Sequence, residues 1–208
     1  MPIEILSVGS KELEQYIEDV PKIATDSIRM AINTVSRGKA MTRIKKAMMD
    51  EIAFPTGYLS QDRLKVVKVA KAHDLEAIIV GRKRATSLAR FVTGGAMVTN
   101  SKRPGGVQVR VKRGKTTVIK NAFLVRLNKG ASVSEDGYNI GLAVRLSAGE
   151  QLANKRTQHK SWLVKGKVAL LYAPSVDQVF RSVAPEQAPS IADDISAEFH
   201  RNFARLSK

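Results

Sequence analysis

Hydrophobic residues recur at steps of three and four along one stretch of this chain: Ala24, Ile28, Ala31, Val35, Gly38, Met41, Ile44, Met48 and Ile52. That period predicts one amphipathic helix of about 30 residues, roughly 45–50 Å long if straight. Pro21 suits its first turn, and Pro55 with Gly57 end it. Gly38 lies on the apolar stripe, either as a close helix crossing or hinge, or as a tolerated glycine costing about 1 kcal/mol against Ala. Ahead of it, residues 1–10 read as a short strand. Ser10 then caps a short helix from Lys11 to Asp19, with Leu13, Tyr16, Ile17 and Val20 on one side.

After Ser60 the period changes to two. Val67 and Val69 alternate with Lys68, and Leu75–Val80 reads as a strand before Gly81. Residues 81–106 mix a basic run with two Gly-Gly pairs, a composition that predicts a mobile loop. Val107, Val109 and Val111 alternate with Gln108, Arg110 and Lys112, and Arg113-Gly114 makes a turn. Val118, Phe123, Val125 and Leu127 lie on the return. This is an antiparallel hairpin pattern, one face apolar and the other cationic. Ile140–Leu146 reads as another strand, and Leu163–Leu171 as a strand or an irregular approach to the next turn. Tyr172-Ala173-Pro174-Ser175 reads as a strand-to-helix junction. Val176, Val179, Phe180 and Val183 form a helical face that Pro185 breaks. Pro189 starts a last helix striped by Ile191, Ile195, Phe199, Phe203 and Leu206.

The expected fold is therefore α+β, a long N-terminal helix packed on a small antiparallel sheet with C-terminal helices. The expected organisation is a single domain over 1–208, with a helical part at 1–54. A basic β-rich core follows at 64–172, carrying the loop 81–106, and C-terminal helices occupy 173–208.

Charge changes the picture. Residues 61–130 hold 17 Lys/Arg against 3 acids, a net +14 out of the chain's formal +16, and the flanks are nearly neutral. A field this local points at one partner surface, most simply a polyanion. The candidate cations facing DNA or an acidic partner are Arg82, Lys83, Arg84, Lys102, Arg103, Arg110, Lys112, Arg113 and Lys115. No helix-turn-helix signal, zinc-finger spacing or aromatic platform accompanies them. Contact to phosphates, independent of sequence and sensitive to salt, is the chemistry they suit.

Catalytic constellations are missing. His73, His159 and His200 are far apart and show no metal-ligand spacing. No phosphate-cradling loop or dinucleotide fingerprint occurs, and the basic segment has too few acids for a carboxylate metal cluster. There is no cysteine, so disulfides and thiolate sites are excluded and a reducing compartment fits. The start, Met1-Pro2-Ile3-Glu4-Ile5, lacks the basic and apolar regions of a signal peptide, and no apolar run approaches a membrane span. The expectation is a non-enzymatic chain with no cofactor, no metal, no membrane and no small-molecule substrate.

The order of the motifs carries more than any one of them. A basic strand closes at Arg113-Gly114, then come Lys120-Asn121-Ala122-Phe123-Leu124-Val125 and Gly141-Leu142-Ala143-Val144-Arg145-Leu146. Ala173-Pro174-Ser175-Val176 then precedes a helix. Ser87-Leu88-Ala89-Arg90-Phe91 ahead of the hairpin and Ala31-Ile32-Asn33-Thr34-Val35 in the long helix add to the pattern. This resembles the minor tail protein Z (tail completion) family of tailed bacteriophages over roughly residues 20–205. A polar insert, Ser132 to Asn139, precedes the Val-x-Arg element that holds Arg145.

The resemblance implies a structural virion protein at the head-proximal end of the tail or in the neck, joined to the connector around the DNA passage. It implies tail, neck or connector proteins as partners, a homo-oligomeric ring that is commonly six-fold, and DNA in its lumen. It places the protein in the virion, with the host cytoplasm as the site of assembly. Ile28, Val35, Gly38, Met41 and Phe180 are the candidate subunit contacts. The competing expectation is a sequence-independent nucleic-acid-binding protein.

Overall fold

The stripe from Ala24 to Ile52 becomes two helices. In the computed structural model, α1 runs over Ser10–Arg37 and α2 over Lys39–Glu51, with Gly38 between them. The structure describes residues 10–60, 62–94, 106–127, 140–145, 163–164 and 168–208, and the side chains of these except 10–18 and 163–164. Residues 1–9 of the expected strand at 1–10 and most of the Gly-rich stretch before Val107 lie outside the described residues, and Ser10 opens α1. The interruption at Gly38 is slight: Gly38 N–H donates to the Thr34 carbonyl and Thr42 N–H to the Gly38 carbonyl, both at 3.0 Å. Pro21 does not start a helix as expected. It sits inside α1, where its missing N–H removes one hydrogen bond without ending the helix.

The fold is α+β: a long N-terminal helix, small antiparallel sheets and a C-terminal helix. The strands are β1 (Leu64–Lys68), β2 (Ile78–Gly81), β3 (Thr86–Ser87), β4 (Val92–Gly94), β5 (Val107–Val109) and β6 (Thr117–Ile119). They continue with β7 (Ala122–Arg126), β8 (Ile140–Arg145), β9 (Leu163–Val164), β10 (Val168–Leu170) and β11 (Tyr172–Ala173), and α3 spans Val176–Leu206. The chain divides into two compact units, each built from discontinuous segments. One holds residues 1–44, 65–80 and 184–208, the other 45–64 and 81–183.

The first unit is mainly helical. Ala31 and Val35 of α1, Ala40 and Ile44 of α2, and Ala70 are buried. Asn33 fixes the loop after β1 with two bonds: its amide nitrogen donates to the Ala70 carbonyl at 2.9 Å, and Ala70 N–H donates to its Oδ1 at 2.8 Å. Lys68 reaches Asp74 at 2.6 Å and Glu76 at 2.5 Å across the β1–β2 hairpin, which holds its ammonium above the usual lysine range. On α3, Asp194 accepts from Arg43 at 2.8 Å and Lys39 at 3.1 Å. Both cations sit in the first turns of α2, where the helix dipole disfavours them and an added anion relieves that cost.

The second unit is built on strands. The four-stranded sheet has the order β7-β8-β10-β9, every described pairing antiparallel, and a three-stranded sheet has the order β4-β5-β6. Its core gathers Phe123, Leu127, Ala143, Val168 and Leu170. Three expectations are corrected here. The return strand of the hairpin divides: Lys120-Asn121 breaks it, with Asn121 at φ 59°, so β6 pairs with β5 while β7 pairs with β8. Asn tolerates that left-handed conformation better than other non-glycine residues. The expected mobile loop at 81–106 is in part built into the core: β3, a tight 3₁₀ turn at Leu88–Phe91 and β4 occupy its first half, with Leu88, Ala89 and Phe91 buried. Finally, Pro185 and Pro189 neither break nor start a helix. Both are exposed within one continuous α3, so the carbonyls that lose their N–H partners can be served by water.

The N-terminus of α3 explains its start. Gln178 N–H donates to Ser175 Oγ at 3.1 Å and Ser175 N–H donates to Gln178 Oε1 at 2.9 Å, a reciprocal capping box. Next to it the backbone of β2 passes very close. A Cβ on Gly81 would lie 2.7 Å from the Asp177 Cα and 2.8 Å from its nitrogen. The bare backbone lets the Arg82 carbonyl accept from Asp177 N–H at 3.1 Å.

Two outcomes follow for the fold. Gly81→Ala lowers the unfolding free energy by about 1–3 kcal/mol, because the opposing atoms are backbone and cannot rotate away; urea denaturation measures it. Asp194 has its carboxyl held below the ordinary aspartate range by Arg43 first and Lys39 second. The contribution is therefore present above the unfolded value, about 3.9, and lost as pH falls through the lower folded value. The stability gap between the native chain and Asp194→Asn is expected to be constant near neutral pH and to close below about pH 4 in pH-resolved melts.

Candidate polyanion interface

Between Glu76 and Glu135 the sequence holds 13 Lys/Arg and no acid. Within that stretch, backbone pairing decides which cations reach solvent. β5 and β6 pair in register Val107↔Ile119, Gln108↔Val118 and Val109↔Thr117. Val107 and Val109 are buried, so the alternate residues face outward: Gln108, Arg110 and Lys112 are exposed. The other edge of β5 is held by β4, with Val92↔Val109, and Arg110 N–H donates to the Phe91 carbonyl at 2.8 Å. Past Arg110 the strand docks on the chain leaving α2: Ala53 N–H donates to the Val111 carbonyl at 2.8 Å, and Ile52 bridges Lys112. Lys115 N–H closes the turn onto the Lys112 carbonyl at 3.2 Å, and Gly114 occupies it at φ +78° with open space where a side chain would be. Lys115 and Lys120 are exposed on either side of β6. Arg113 also reaches solvent but pairs with Asp50 at 2.8 Å.

The basic run at 82–84 behaves differently. Lys83 is exposed, while Arg82 and Arg84 are half-buried. Arg82 is turned inward. Its guanidinium donates to the Tyr58 hydroxyl at 2.8 Å, which corrects its assignment as an outward cation. Tyr58, 4 % exposed, is the hub of a cluster that the sequence did not disclose. Three guanidinium carbons lie over its ring, Arg63 at 4.4 Å, Arg90 at 5.1 Å and Arg82 at 5.9 Å. Such contacts draw each cation toward the electron-rich face. Arg63 also donates to the Tyr58 carbonyl at 3.1 Å and to Ser60 Oγ at 3.2 Å, and Phe54 stacks on Tyr58 at 5.4 Å. Arg84 lies close enough to act on the Tyr172 hydroxyl, whose burial raises its pKa against that charge. The only sequence signal for the hub was the recurrence of Arg at 63, 82 and 90 around an aromatic-bearing segment, and no spacing rule links positions brought together by tertiary packing.

Of the other sequence-derived sites, Lys102 and Arg103 lie outside the described residues. Arg145 is exposed, with its guanidinium carbon 5.6 Å from the Phe123 ring centre. Among the candidate subunit contacts, Gly38 is exposed and Ile28, Met41 and Phe180 are half-buried. Val35 is 1 % exposed and belongs to the chain's own core, so it offers no surface to a second subunit. Among the described residues no three His, Asp or Glu side chains gather as a metal site, and no helix is long and apolar enough to cross a membrane.

What the site defines, then, is a cationic β-hairpin beside an arginine–tyrosine hub on an α+β scaffold. Comparison with family models, curated proteins and solved structures finds no match to this chain.

The hub yields a direct test. Tyr58→Phe removes the acceptor for Arg82 and the hydroxyl contact with Thr86, 3.3 Å away. It is expected to cost about 1.5–3 kcal/mol, the scale of a hydrogen bond to a charged group, read as a drop in the denaturant midpoint at unchanged slope.

Proposed function

We propose that this chain is a structural virion protein of a tailed phage. It completes the head-proximal end of the tail or neck and joins it to the connector around the DNA passage. It works without enzymatic chemistry, by geometry and charge, as a homo-oligomeric ring of about six subunits, and its partners are tail, neck or connector proteins. Closed rings use one heterologous contact repeated around an axis.

The reading is carried by the order of the motifs on consecutive elements. The basic turn at Arg113-Gly114 falls between β5 and β6, Ala122-Phe123 opens β7, Gly141–Arg145 lies in β8, and Pro174-Ser175-Val176 enters α3 through a capping box. The acid-free stretch supports a cationic surface turned toward a polyanion, either DNA in the passage or an acidic neighbouring ring. That same stretch favours a second reading, a sequence-independent nucleic-acid-binding protein that acts alone.

Oligomeric state separates the two. Light scattering and negative-stain images of the purified chain are expected to show a closed ring, and a monomer or dimer that engages DNA alone supports the second reading. In a phage carrying this gene, Arg110→Glu with Lys112→Glu leaves the chain folded, because both side chains are exposed, and lowers the yield of joined, infective particles. Normal infectivity with both charges reversed removes the functional role of the hairpin.

A further inference from the structure

We propose that the β5–β6 hairpin is a preformed prong for the phosphodiester backbone of duplex nucleic acid, contacted through Arg110, Lys112, Lys115 and Lys120. This rests on the reading of the basic face as turned toward a polyanion, and commits it to one ligand chemistry and four residues.

Charge and exposure select the four. Each is exposed, and none is in an ion pair among the described residues. Arg113, their neighbour, differs because Asp50 accepts from its guanidinium. From Gly106 to Leu127 there are six Lys/Arg and no acid, so nothing within the hairpin neutralises the group.

The backbone beneath them is held before any ligand arrives. β5 is paired on both edges, by β4 and β6. The Ala53–Val111 bond and the Ile52–Lys112 bridge hold the strand as it enters the turn. A ligand meeting this hairpin orders side chains only, which keeps the entropic cost of binding low. At the tip, the open space around Gly114 leaves the turn accessible to a broad surface.

The side chains between the cations decide among polyanions. Gln108, Thr116 and Thr117 are exposed and can donate to phosphate oxygens as the cations do. Protein interfaces concentrate their binding energy in buried aromatic and apolar anchors. Here the only large apolar side chain exposed on the two strands is Val118, at 52 %. The one aromatic between Gly106 and Leu127, Phe123, is buried in the core, so the hairpin offers no platform for unstacked bases. Cations interleaved with hydroxyls and an amide, without aromatics, match a stacked duplex approached from its backbone.

The test is fluorescence anisotropy of a random-sequence DNA duplex titrated with the full chain across a salt series. Four phosphate contacts give a slope of log affinity against log salt of about −3.6, or roughly a 150-fold loss between about 50 and 200 mM salt. Arg110→Ala with Lys112→Ala is expected to reduce that loss to roughly 12-fold and to weaken binding at low salt, with an unchanged melting temperature. Duplexes of different sequence bind alike. Lys22→Ala with Lys71→Ala removes the same charge from exposed positions elsewhere and leaves the slope unchanged.

An equal fall in slope for both pairs assigns the binding to overall charge and overturns the prong. So does a hairpin variant with the native slope, or the absence of binding at low salt. A polyglutamate chain that competes as strongly as duplex at equal charge concentration gives the hairpin to an acidic protein instead. A ring that shows no hairpin-dependent slope sinks this inference and leaves the assembly role standing. A monomer that shows the slope does the reverse.

Discussion

The missing side chain at Gly81 is the constraint on which the strand-rich unit is arranged. Because no Cβ intervenes, the end of β2 lies against the first turn of α3 and the Arg82 carbonyl takes one of the helix's free N–H groups. That contact fixes the backbone of Arg82, and with it the direction of its guanidinium onto Tyr58. Arg82 N–H in turn donates to the Arg63 carbonyl at 2.7 Å, which draws the 58–63 turn into the same arrangement. A helix cap, a strand end and an arginine cluster thus share one close approach.

Much of the fold was legible because it rests on local patterns. The three-and-four spacing from Ala24 to Ile52 identified the long apolar stripe, and alternation at Val107–Lys112 identified a strand with one cationic face. The boundaries failed where the deciding fact was tertiary. Pro21, Pro185 and Pro189 read as helix starts and stops, yet all three are carried inside helices, since one missing N–H costs less than the packing on either side supplies. The return strand looked continuous because Val118, Phe123, Val125 and Leu127 are all apolar, and only the step of five from Val118 to Phe123, out of the two-residue period, marks the point where Asn121 turns the chain into a second sheet. The stretch from Thr86 to Phe91 looked like a loop because its burial depends on distant partners such as Leu171, whose carbonyl accepts from Leu88 N–H.

The candidate site was half legible for a related reason. Sequence gives the sign and density of charge but not the side of the backbone on which a cation ends. Arg110 and Lys112 were expected outward and are outward, since strand alternation sets their direction, and Lys115 is exposed because it sits in the turn. Arg82, in an irregular segment, had no such rule and turned inward. The result is a division of labour among like charges. Arg63, Arg82 and Arg90, with planar, weakly hydrated heads, stack over Tyr58 and organise the interior, while Arg110 and Arg113 join the more strongly hydrated lysines on the exposed hairpin. Counting all of them as one basic patch overstates the area available to a partner and hides the cations that hold the scaffold.

The interleaving of the two units has a consequence for how the protein is made. The mainly helical unit draws on residues 1–44, 65–80 and 184–208, so its last segment is translated only after the whole of the strand-rich unit. On the ribosome, α2 must wait for the second half of α3 before Lys39 and Arg43 can meet Asp194. The strand-rich unit is complete once Val183 has cleared the exit tunnel, and is the half able to fold first.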